Sequence, residues 1–326
     1  MTNEVLLGTV TCPSGQLVIT DGGYLELWSG DRAAEDEERP ATDFAIVGPD
    51  AEDAAESFDR QSGTRLYDIP AHAVGEFTTT FAEHCREHGH DARLEAFERQ
   101  VPHRERVRYA VAGREPGFIV MGVPVLAIEA PAGRALPVTA IRSDDGHEWR
   151  SMRIGFSDEP VADSWVFYQL GVDHARFVVA DADALNSWEH ILPLDGLADL
   201  VLWGGDKERV AAEFGAPPLD DGLYGWLDLP VEEAYERGLA MEARRAEPGA
   251  PRFACDFRPH SHHWQVMRLV RASEHEAGVI EVAGADVLMA MASVGDGFFD
   301  VYLDVDADGL PVALRIDIAG EEEPDE

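Results

Sequence analysis

Pro259-His260-Ser261-His262-His263-Trp264 places three histidines within four residues. Imidazole is a strong ligand for borderline metals and the side chain that titrates closest to neutrality. In an extended strand His260 and His262 would face one way and His263 the other. Two imidazoles on one face can hold zinc, nickel or copper, with His263, Asp256 or His275 as further candidate ligands. A divalent metal is therefore one cofactor this segment could take, although no motif implies one. Equally, a histidine with a carboxylate partner could act as a base. The competing reading is a hydrogen-bonded polar segment ahead of a strand at 264–270.

Three further groups invite chemistry. Gly295-Asp296-Gly297 could expose a catalytic Asp296, but Asp and Gly also simply build turns. His84-Cys85-Arg86-Glu87-His88-Gly89-His90 sets two histidines one helical turn apart, where cationic side chains also complement a helix end. Asp304-Val305-Asp306-Ala307-Asp308-Gly309 imitates the start of a calcium loop. Arg315 stands where the bidentate glutamate is needed, so a hairpin turn is expected instead. Dinucleotide, phosphate-loop, zinc-protease and nucleophile-elbow motifs are absent. The seven tryptophans are scattered, as core residues are.

These residues sit in a pattern dominated by strands. Strands are expected at 5–11, 16–20, 24–28, 107–111, 118–121, 125–128, 138–142, 149–156, 164–169, 264–270, 279–282 and 287–292. A hairpin is expected from 299 to 318, where Val312, Leu314, Ile316 and Ile318 alternate with Ala313, Arg315 and Asp317. Helices are expected at 50–61, 73–88, 92–100, 207–214 and 231–245, with Gly89 and Gly215 as left-handed stops. Polar stretches at 30–43 and around Asp220-Asp221-Gly222 read as loops, Asp145-Gly146 as a turn, and 319–326 as an acidic disordered tail. No solenoid repeat and no heptads are read. The fold class is α+β, mainly antiparallel sheet with a few packed helices.

The chain has 326 residues and a formal net charge of −37, from 63 acidic against 26 basic residues. Such a surface repels phosphate backbones and anionic lipid, which argues against nucleic acid and membranes and for a basic protein or a cation. Apolar runs are too short to cross a bilayer, and no basic stretch precedes the first one, so no secretory signal is expected. The three cysteines, Cys12, Cys85 and Cys255, fit a reducing cytoplasm.

Cys12-Pro13-Ser14-Gly15-Gln16-Leu17-Val18-Ile19-Thr20-Asp21 forms one distinctive segment. Gly295-Asp296-Gly297-Phe298-Phe299-Asp300-Val301, with Asp308-Gly309 and the strand to Ile318, forms another. Together they resemble the bacterial family filed as domain of unknown function 4241, and 136–177 is similar in strand order. The resemblance implies a β-rich domain from 1–29 and 134–318, with 30–133 as an insertion, and it implies no chemistry. Two functions remain open. One is an acidic binding protein, comparable to the immunity partners of basic toxins. The other is a metal-dependent or histidine-based hydrolase centred on His260 and His262.

Overall fold

The computed structural model describes residues 4–33, 41–58, 61–113, 115–143, 148–219 and 222–319. Asp145-Gly146, Asp220-Asp221, residues 34–40 of the 30–43 loop and the charged tail from 320 lie outside the described residues. No helix among the described residues is long and apolar enough to cross a membrane. The fold is α+β and every strand pairing within its sheets is antiparallel.

The first compact unit comprises 1–188 and 269–326. Its centre is two six-stranded sheets. One runs in the order β1 (Glu4–Thr11), β8 (Ala135–Arg142), β9 (Trp149–Gly155), β18 (Pro311–Asp317), β17 (Gly297–Val305), β10 (Asp163–Val172). The other runs β15 (Ala277–Val282), β16 (Ala285–Met291), β11 (Arg176–Asp181), β2 (Gln16–Asp21), β7 (Val123–Glu129), β6 (Gly117–Val120). Alternating apolar residues from both sheets, among them Leu17, Val138, Ile154, Val179, Val301 and Leu314, close one core. The Pro13-Ser14-Gly15 turn forms, with Gly15 at φ 72°, but it carries the chain from one sheet to the other rather than closing a hairpin. The hairpin of β17 and β18 forms as the alternation predicts.

The same unit carries a smaller sheet of β4 (Arg65–Pro70), β3 (Ala41–Val47) and β5 (Arg93–Ala96), with α1 (Ala51–Phe58) and α2 (Val74–His88) packed on it. Helix α3 (His103–Ala112) follows. The second unit, 189–268, holds a sheet of β13 (Tyr224–Pro230), β12 (Leu197–Trp203) and β14 (Ala254–Pro259), with α4 (Lys207–Phe214) and α5 (Val231–Arg245), and the start of α6 (His262–Ala272).

Four expected elements differ. Residues 24–28 form a short 3-10 turn, Tyr24–Leu27, and 92–100 contains strand β5 in place of a helix. The strands expected at 107–111 and 264–270 are helices α3 and α6. In both, β-branched and aromatic residues suggested a strand, and helical packing of one face won over that weak propensity. The expected insertion 30–133 includes β6 and β7, which are strands of the central sheet; the segment that separates as its own unit is 189–268.

The element order from β1 to β9, with α1 to α3, recurs from β10 to β18 with α4 to α6. Each large sheet is symmetric about its centre, where β9 meets β18 (Arg153 opposite Arg315) and β2 meets β11 (Ile19 opposite Val179). Buried Asp21 accepts the N–H groups of Asp173 and His174, and buried Asp181 accepts that of Ser14. Each half thus holds the sheet-to-sheet turn of the other. The small sheets repeat down to their turns. Gly48 and Gly204 have φ of 136° and 119°, and a Cβ on either would meet backbone within 2.3 and 2.8 Å. The Asp50 and Asp206 carboxylates accept N–H groups of Asp91 and Arg252, both at 2.7 Å. The chain is an internal duplication.

Candidate functional site

The duplication presents one carboxylate pair twice. In the first copy a strand irregularity between Thr42 and Phe44 turns Asp43 out of the β3–β4 ladder. Asp68 sits at φ 57°, a left-handed conformation that Asp tolerates better than most residues, and donates its N–H to Asp43 Oδ1 at 2.9 Å. The second copy has its irregularity between Ala198 and Leu200, Asp228 at φ 54°, and the Asp228 N–H on Asp199 Oδ1 at 3.0 Å.

The two copies are neutralised differently. Arg106 of α3 holds Asp68 with two nitrogens, at 2.8 and 2.9 Å, and reaches Asp43 at 3.4 Å. Its remaining N–H groups go to the carbonyls of Val101 and Ile119, and its guanidinium covers the Tyr67 ring at 4.5 Å. The Asp43 and Asp68 side chains are 0% and 3% exposed. Burial pushes the Asp43 carboxyl upward against the pull of Arg106. For Asp68 burial also acts upward, and the forked guanidinium outweighs it, leaving the carboxyl below its ordinary value.

In the 189–268 unit the helical position matching Arg106 is Gln265. The match follows from the helix starts. The N–H groups of Arg106 and Gln265 bond the carbonyls of Pro102 and Ser261, each at 3.0 Å. His103 Nδ1 accepts the Ser29 N–H at 3.0 Å, and His262 Nδ1 accepts the Glu189 N–H at 2.9 Å. A cation reaches the second pair from elsewhere: His260, at the end of β14. Its Nδ1 lies 2.8 Å from Asp195 Oδ2, its Nε2 3.1 Å from Asp199 Oδ1 and 3.9 Å from Asp228 Oδ1. Burial would lower the His260 pKa, but the Asp195 and Asp199 hydrogen bonds outweigh it and raise it; His260 in turn holds the Asp195 carboxyl low. Both ring nitrogens face carboxylate oxygens, an arrangement that favours the protonated ring, which alone can donate from both. One positive charge faces three carboxylates. Asp199 is 23% and Asp228 74% exposed, so this copy opens to solvent.

Among the described residues, Asp199, Asp228 and His260 are also the one cluster whose ligand atoms lie close enough to share an ion, all within 4.8 Å of one another.

His260 and His262 do not share a face. The chain leaves the strand at Pro259, and Ser261, fully buried, starts α6, its Oγ accepting the Trp264 N–H at 3.3 Å. His262 is held against the backbone of Glu189, and burial lowers its pKa. His263 stacks on His190, centroids 4.1 Å apart. Asp256 pairs with Arg258 at 3.1 Å, and His275 packs edge-on to Trp149. Asp296 accepts the Ala175 N–H at 2.8 Å and so secures a turn residue at φ 52°.

Asp195, Asp199 and Asp228 escaped the sequence reading. Their signal was there as a recurrence: Tyr67-Asp68-Ile69-Pro70 with Leu227-Asp228-Leu229-Pro230, and Thr42-Asp43-Phe44 with Ala198-Asp199-Leu200. Comparison of the chain with protein-family models, curated proteins and solved structures finds no match.

Proposed function

We propose that this protein is an acidic binding protein for a basic partner, and that the carboxylates of Asp199 and Asp228, beside His260, receive a cationic side chain of that partner. The observation that carries the reading is the duplicated carboxylate pair, filled internally by the Arg106 guanidinium in one copy and open in the other. A carboxylate pair with this geometry suits a planar fork of N–H donors better than a point charge. A net charge of −37 would speed encounter with a basic surface. The three cysteines are free thiols, which supports a reducing, cytoplasmic setting. Kinship with the family of domain of unknown function 4241 is part of the proposal on the strength of the end motifs alone, and adds no activity to it.

The test uses arginine and lysine peptides of equal length at physiological salt. The natural chain should prefer the arginine peptide. Asp199→Asn/Asp228→Asn should weaken that binding by about tenfold or more and erase the preference, as loss of a charge partner enclosed on binding does. Glu208→Gln/Glu236→Gln removes the same charge at exposed positions of the same unit and should leave the preference intact. Equal effects of the two double variants would defeat the reading.

A second reading, a metal-dependent hydrolase, rests on the proximity of the Asp199, Asp228 and His260 ligand atoms. Stoichiometric metal in the purified protein, lost in the Asp199→Asn/Asp228→Asn chain, would favour it.

A further inference from the structure

The last turn of α2 carries His84 and His88, and left-handed Gly89 (φ 75°) turns the chain so that His90 comes back beside them, its N–H on the Cys85 carbonyl at 2.9 Å. The three rings form one stack. Centroids are 4.1 Å apart for His84 and His88, 5.9 Å for His88 and His90, and 6.1 Å for His84 and His90, with ring planes within 35° of one another. Two of the rings aim at one point: Ser57 Oγ, on α1, is 2.9 Å from His84 Nε2 and 3.3 Å from His90 Nε2. Ser57 has one proton, and the Ala54 carbonyl lies within reach of it at 3.2 Å, so a single hydroxyl cannot supply both imidazoles. The third ring has its Nδ1 2.9 Å from the His84 carbonyl, to which it donates, so Nε2 is the nitrogen left for a ligand.

We propose that His84, His88 and His90 form a site for a borderline divalent transition ion, zinc, nickel or copper, held through imidazole nitrogen. Histidines four apart on a helix face the same side, and the left-handed turn adds a ligand that regular helix could not. In their present positions the three rings do not bring one nitrogen each within reach of a single ion, so binding requires the rings to rotate out of their stack and away from the shared hydroxyl. An all-imidazole set selects against magnesium and calcium, which need oxygen. The ion would fix the end of α2 against the turn that follows it, with no ligand shared with the carboxylate cluster.

The experiment titrates the metal-free full chain with Zn2+ alone by calorimetry. Using the Asp199→Asn/Asp228→Asn chain as background removes the other cluster that could take a cation. One equivalent of Zn2+ should bind there. His84→Gln/His90→Gln in the same background should weaken it by about a hundredfold or more, because two ligands are lost at half-exposed positions. Ser57→Ala, which removes the shared hydroxyl but no imidazole, should retain it. No binding in the background chain, or binding unchanged within about twofold in the folded histidine variant, would overturn the proposal.

Discussion

At the scale of residues, His260 is the group whose state can be read in solution. Its pKa is raised by Asp195 and Asp199 against the effect of burial. A group with a raised folded-state pKa contributes stability that is fully present below its unfolded value, about 6.5, and is lost as pH rises through the folded value. Urea melts of the natural chain and of His260→Gln should therefore differ most near pH 5.5 and converge by about pH 9. A stability difference that grows with rising pH would contradict the imidazolium assignment. His260 was legible in the sequence because histidines are scarce and three stood together. Its carboxylate partners were not, because aspartates crowd an acidic chain and only strand irregularities and left-handed backbone single these out. His262 was misplaced for a related reason: Ser261 is a helix start, and a helix start rotates the next side chain away from the strand face.

At the scale of elements, the two three-stranded blocks share a backbone plan and differ in how they are closed. Arg106 closes the first, buried between Asp43, Asp68 and the carbonyls of Val101 and Ile119. Arg106→Met would leave two buried carboxylates without their cation and should destabilise the protein by about 3–5 kcal/mol. Chemical denaturation measures this, and a loss under about 1 kcal/mol would show that the pair does not depend on the guanidinium. Long helix α2 was legible from its apolar spacing and its Gly89 stop, and α5 from Pro230 at its start. Strand β5 and helix α3 were not, since four residues of β5 carry too little periodicity and α3 buries His103, Arg104 and Arg106, polar residues that hide its inner face. The C-terminal hairpin, with alternation around a Gly turn, was read correctly in place.

At the scale of the whole molecule, the duplication organises everything else and was the least legible feature. Its halves have drifted so far that the recurrence survives in a few fixed positions: Asp21 with Asp181, Asp43 with Asp199, Asp68 with Asp228, His103 with His262. These are places where a side chain replaces backbone pairing at a turn or irregularity, so the residue type is set by hydrogen bonding and not by hydropathy. Two copies of one plan free one copy to keep a structural ion network while the other stays open for a ligand. The central claim is that the Asp199–Asp228 pair is open because Gln265 stands where the first copy has Arg106. Gln265→Arg tests it most directly. The new guanidinium should fill the pair from within, raise the melting temperature, and weaken binding of the arginine peptide by about tenfold or more, as an internal competitor does. A folded Gln265→Arg protein that binds the peptide as tightly as the natural chain would contradict the account.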